Sequence, residues 1–152
     1  MDLLLAENVA VSLGTDSQTQ IDLLEDAREL EYHLRLQKLE RAVLSEPDEQ
    51  DQTALATRLF DCATVNGARS LGMQTELLSA GGPADFFTVD LQDASIAGAN
   101  RETLISTIVF SMSKSAVKDV VVGGKRIVEN GRHFAQEEIT MKFAALQHRL
   151  WS

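Results

Sequence analysis

Asp16 is the residue whose type and position best suit it to chemistry. It stands in Gly14-Thr15-Asp16-Ser17, a polar turn that directly follows the apolar run Val9-Ala10-Val11-Ser12-Leu13. A carboxylate at the end of a buried strand can bind a cation or take a proton from water, and in parallel barrels catalytic groups project from strand ends. The competing reading is structural. Asp and Ser are preferred helix caps, and a helical pattern begins just beyond Asp16 and Ser17, so position by itself favours a cap.

The other reactive side chains do not assemble into a site by spacing. His33, His133 and His148 form no His-x-His, His-x-x-Glu-His or His-Glu-x-x-His pattern, so none is read as a metal ligand. His33 is read as a helix-surface or packing residue, His133 as a turn residue or one reaching a neighbouring domain, and His148 as exposed. The single cysteine, Cys62, has no partner for an internal disulfide and lies in a helical pattern, where a buried, inert thiol is expected. Gly123-Gly124 lacks the following Lys-Ser or Lys-Thr of a phosphate loop and reads as a hairpin turn. The acids of Leu24 to Glu31 are accompanied by Arg28 and Arg35 and read as a solvated helix face.

These residues need elements to hold them. Val9 to Leu13 reads as a strand buried on two faces, as in a parallel sheet or barrel. The stretch before it, ending at Asn8, reads as the last turn of a helix. Ile21 to Leu44 carries an unbroken helical stripe of Leu23, Ala27, Leu30 and Leu34, with acids early and Lys38 and Arg41 late, as the helix dipole favours. A solvated connection containing Pro47 leads to a second helix from about Thr53 to Leu71, stopped by Gly72. Ala84 to Leu91 reads as a strand, Gln92 to Asn100 as a loop, and Leu104 to Phe110 as either strand or helix. Val117 to Val122 and Lys125 to Glu129 flank the paired glycines as a hairpin, and a last helix from Gln136 to Trp151 places Ile139, Phe143, Leu146 and Leu150 on one face.

Composition narrows the function classes. With 44% hydrophobic and 24% charged residues, the 152-residue chain can build a core, and its poverty in aromatics suits helices on strands, an α/β class. A net charge of −9 opposes an extended phosphate-binding face, so nucleic acid is not expected as a partner. The apolar opening is too short to cross a bilayer and carries acids where a signal peptide needs bases, so a cytoplasmic location without a membrane partner is expected.

Three stretches together resemble the amidohydrolase superfamily, in the branch of formimidoylglutamate deiminases and their deaminase relatives. Leu13-Gly14-Thr15-Asp16-Ser17 resembles the end of the eighth barrel strand. It is followed by a helix whose Leu30-Glu31-Tyr32 and Arg35-Leu36 look like the formimidoylglutamate branch. Ala63-Thr64, Gly67-Ala68 and Leu71-Gly72, leading to Gly81-Gly82-Pro83-Ala84-Asp85, resemble the last barrel helix and the return to a small β-sandwich. Val117 to Gly131 resembles the hairpin that closes it. Glu76 departs from the glycine usual in the turn before Leu78.

The resemblance implies the last strand-helix units of a metal-dependent (β/α)8 barrel over residues 1–79, and the C-terminal part of a β-sandwich with a terminal helix over 80–152. In a complete enzyme of this kind, zinc-bound hydroxide attacks the formimino carbon of N-formimino-L-glutamate to give N-formyl-L-glutamate and ammonia. Asp16 is then both metal ligand and catalytic group. The family's metal-binding histidines and its acid/base glutamate belong to strands that these residues do not include, and one aspartate does not acidify water. The chain on its own is therefore expected to be inactive, and a complementary half-barrel or a second copy is the expected macromolecular partner. The alternatives are a non-catalytic remnant or interaction domain, and the tail of another deaminase such as a guanine deaminase-like enzyme.

Overall fold

The computed structural model describes residues 4, 5, 7, 9–45, 51–73 and 78–152. Asn8, Pro47 and Glu76, read above as a chain reversal, part of a solvated connection and a reshaped turn, lie outside the described residues. The chain divides into two compact units, Met1–Glu76 with Ala94–Met112 and Leu77–Asp93 with Ser113–Ser152. The sequence reading makes a single cut at 79/80, whereas in the structure the stretch 94–112 belongs with the first unit. Among the described residues, no helix is long and apolar enough to cross a membrane.

The first unit is helical. Helix α1, Leu23–Lys38, starts at Asp22, whose side chain accepts the N–H of Leu24 at 3.1 Å and of Glu25 at 3.2 Å. It ends six residues before the predicted Leu44. Leu39 takes the left-handed conformation (φ 58°) and donates its N–H to Arg35, and Ala42 also has positive φ at 51°. The apolar periodicity runs past this stop because Val43 and Leu44 still pack on the core, although they do so from a turn.

A buried carboxylate organises that turn. Glu31 is fully buried, and its Oε1 accepts from Arg35 Nε at 2.7 Å and from the Val43 N–H at 3.0 Å, while Oε2 accepts from the Leu44 N–H at 3.1 Å. The acidic run is thus not a wholly solvated face. Its last member faces inward, because two backbone N–H groups and a guanidinium replace the water it gives up.

The predicted helix from Thr53 to Leu71 is two helices, α2 (Ala54–Ala63) and α3 (Val65–Ser70), separated by Thr64 at φ −130°, ψ −87°. The Thr64 hydroxyl donates to the Phe60 carbonyl, a local bond that competes with helix continuation. Leu104–Phe110, which allowed either reading, is helix α4. Asn100 Oδ1 accepts from the N–H groups of Glu102 and Thr103 just ahead of it. Ala27, Leu34, Leu44, Ala56, Leu59 and Val109 form the core, and Arg28 donates to the Val109 carbonyl at the end of α4.

The second unit is a four-stranded antiparallel sheet in the order β1 (Phe86–Val89), β2 (Val117–Val122), β3 (Lys125–Glu129) and β4 (Arg132–His133). Phe86 pairs with Val121, Val120 with Val128, and Val128 with His133. Gly123 (φ 56°) and Gly124 (φ 75°) make the predicted reversed turn, which side chains other than glycine seldom adopt. Helix α5, Gln136–Trp151, has the predicted bounds, but Ile139, Phe143, Leu146 and Leu150 are all exposed, so its apolar face has no cover among the described residues.

Candidate active-site loop

The segment that delivers Asp16 is not the ladder-paired strand that the sequence suggests. Residues 9–13 have no regular secondary structure, and only Val11, at 7% exposure, is buried; Val9, Ala10 and Ser12 are exposed. A strand needs a neighbour to complete its backbone bonds, and none among the described residues runs beside this one. Its polar groups go to the helical layer instead. The Val11 carbonyl accepts from Asn66 Nδ2 at 3.0 Å, and the Leu13 N–H donates to the Cys62 carbonyl at 3.1 Å. The Cys62 carbonyl is available because the break at Thr64 ends α2 at Ala63.

Beyond Leu13 the chain turns. The Gln18 N–H donates to the Thr15 carbonyl at 2.7 Å, which places Asp16 at the first corner of a tight turn, in the left-handed region at φ 41°. Such a φ is uncommon outside glycine, and Asp and Asn are among the residues that tolerate it. The Asp16 side chain is exposed, and no hydrogen bond to a described residue holds it. The capping role that competes for Asp16 belongs to Asp22.

Gln18 lines a cleft of about 200 Å³ with Gln20, Glu25, Asp26 and Glu29, and Asp16 is not among the lining residues. Among the described residues, no group of three or more His, Cys, Asp or Glu is placed to hold a metal. The histidines lie apart. The backbone carbonyl of Glu29 is 2.8 Å from His33 Nδ1 on the exposed side of α1, His133 Nδ1 accepts the Ala135 N–H at 3.2 Å, and His148 is exposed on α5. Cys62 is buried, and burial pushes its thiol above the ordinary range, which suits an inert packing role.

Residues 1–127 match the Amidohydrolase family. The chain belongs to that family. Among amidohydrolase relatives, the formimidoylglutamate deiminase of Pseudomonas aeruginosa is 32% identical over 139 residues, covering 91% of this chain and 30% of that protein. The chain thus spans about a third of the length of this relative. A crystal structure of an amidohydrolase from Brucella melitensis superposes with a TM-score of 0.81 at 27% identity, covering 99% of this chain and 32% of that one. An adenosine deaminase from Xanthomonas campestris with bound zinc shares the fold, with a TM-score of 0.74 at 20% identity, covering 97% of this chain and 32% of that one.

Within this amidohydrolase chain, the stretches that carry the family resemblance have separate jobs. Leu30-Glu31-Tyr32 and Arg35 form a holding cluster: Glu31 binds Arg35, the Arg35 guanidinium lies 5.3 Å from the Tyr32 ring centroid, and Tyr32 meets Phe110 at 6.4 Å. Asp85, at the entry to the sheet, accepts the Gly123 N–H at the hairpin turn. The residue that sequence reading missed is Asn66. An Asn directly before Gly67, in a helical stretch, is its only signal, and the segment it binds is 55 residues away.

Proposed function

We propose that this chain is the C-terminal part of a metal-dependent deiminase that hydrolyses N-formimino-L-glutamate to N-formyl-L-glutamate and ammonia, with Asp16 as its contribution to catalysis. The observation that carries this reading is the Asp16 carboxylate, exposed at the corner of a left-handed turn while Asp22 fulfils the capping role. The first-named relative above supports the choice of substrate. Asp16 orients the attacking water and accepts its proton as the water oxygen bonds to the formimino carbon. The proton then passes to the leaving nitrogen as the C–N bond breaks, so one water enters and one ammonia leaves.

The family resemblance implies zinc in the complete enzyme. Asp16 alone does not make such a site, since a catalytic zinc takes about three protein ligands. The other ligands are assigned to a complementary barrel half, and the setting is cytoplasmic. The test is to co-express the chain with the N-terminal two-thirds of the Pseudomonas aeruginosa relative and assay ammonia release. Turnover that appears on pairing and is lost in Asp16→Asn is the expected result. Turnover that survives Asp16→Asn refutes the assignment, and the absence of turnover from a well-formed pair favours a non-catalytic remnant.

A further inference from the structure

Asn66 and the Cys62 carbonyl present an unusual pair of groups to the segment before Asp16. One donates to the carbonyl of Val11, and the other accepts from the N–H of Leu13, two residues further on. In a parallel ladder, a single residue of the neighbouring strand makes this same pair of bonds, its N–H to one carbonyl and its C=O to the N–H two residues along. The helix break therefore imitates one rung of a missing strand. Cys62 supplies the acceptor because α2 ends at Ala63, and Asn66 supplies the donor from the second residue of α3.

We infer that Asn66 is a positioning residue for Asp16: its amide fixes the depth and direction of the segment whose next turn carries the carboxylate. This rests on the proposed role of Asp16, but the tether itself does not. Beyond Leu13, Gly14 offers no side chain to pack, with nothing within 4 Å of where a Cβ would stand. The Val11 and Leu13 bonds are thus the last backbone anchors of the segment before the turn at Thr15 to Gln18. If the Val11 anchor is lost, the Leu13 N–H is the one backbone anchor left among the described residues of 9–13 toward the helices, and a misplacement of about 1 Å at a reacting group is enough to cost about a hundredfold in rate.

The test uses the 152-residue chain labelled for NMR, as wild type, Asn66→Asp and Asn66→Ala. The aspartate keeps the shape without the donor. Both variants are expected to raise the amide exchange rate of Leu13 about tenfold and to shift the Asp16 Cα resonance, which reports its φ, while Leu59 in the core keeps its protection. A purely structural role in α3 predicts changes confined to residues 65–70, and that result overturns the inference. If either variant fails to fold, the wild type still decides: a coupling across the hydrogen bond from Asn66 Nδ2 to the Val11 carbonyl supports the tether, and its absence overturns it. In the co-expressed pair, Asn66→Asp lowers kcat at least tenfold with KM within about twofold. Full kcat in that variant, where Asp16→Asn is dead, removes the positioning role. Turnover in Asp16→Asn removes the proposed function and leaves the tether to the NMR result.

Discussion

Replacing Glu31 should weaken the first unit more than any other exchange of a single polar side chain described here. Its carboxylate is fully buried and accepts three hydrogen bonds, from Arg35 Nε and from the N–H groups of Val43 and Leu44. In Glu31→Gln the amide oxygen can keep the Arg35 and Val43 bonds, but the NH2 then faces the Leu44 N–H, donor against donor. One buried N–H left unpaired costs about 1–3 kcal/mol, and the loss of charge toward Arg35 brings the expected total to about 2–3 kcal/mol. Glu31→Ala strips all three donors and should cost about 3–5 kcal/mol, toward the lower figure because Arg35 is partly exposed and can rehydrate. Set against a stability of about 5–15 kcal/mol for an ordinary domain, a loss of about 3 kcal/mol takes between about a fifth and more than half of the total. Tyr32, the one tyrosine, contacts the ring of Phe110 and the guanidinium of Arg35 in the same unit, so its near-UV circular dichroism during urea unfolding reads the loss locally. A Glu31→Gln midpoint equivalent to less than about 0.5 kcal/mol from wild type refutes the claim that this carboxylate holds the end of α1.

Leu39→Gly should stabilise the same unit by about 0.5–1 kcal/mol, because relief of about 1–2 kcal/mol of left-handed strain outweighs glycine's added unfolded-state entropy, and Leu39 is 89% exposed; a lower urea midpoint contradicts this. Burial holds the Cys62 thiol above its ordinary pKa of 9.0, so the unfolded chain ionises first as pH rises; wild-type stability should fall above about pH 9 more steeply than that of Cys62→Ala, and parallel pH profiles contradict it. The exposed Ile139, Met141, Phe143, Leu146, Leu150 and Trp151 of α5 should drive self-association at micromolar concentration, relieved by Phe143→Ser with Leu150→Glu; light scattering that finds a clean wild-type monomer counts against it.

The sequence is most legible where local chemistry decides the structure. Gly123-Gly124 demands a reversed turn and makes one, and α5 has its predicted ends because no packing among the described residues competes with its own pattern. It is least legible where distant groups intervene. Leu39 carries no helix-stop signal; the chain stops there as the Val43 and Leu44 N–H groups are drawn back to Glu31, an outcome invisible to periodicity. Thr64 breaks a helix that hydropathy runs straight through, and the freed Cys62 carbonyl binds Leu13 nearly fifty residues earlier in the chain. Asp16 was visible as a candidate by residue type and position, but its left-handed φ and the transfer of the cap to Asp22 were not. The place of Asn66 before Gly67 is a faint signal, and nothing in the sequence around it names Val11.

The glycine hairpin has a consequence for anyone who would engineer this chain. A hairpin tip is ordinarily the place to insert an epitope or graft a second domain, since the backbone there is free. This tip is stitched down: the Gly123 N–H is bound by Asp85 and the Gly124 N–H by the Ala84 carbonyl at 3.0 Å. The next reversal is stitched as well, with the Gly131 N–H on the Lys118 carbonyl at 2.7 Å and the Asn130 N–H on Asp119. Both turns of the meander thus double as seams that bind one strand to the one before it. A peptide spliced into either would break these bonds and unpick the sheet.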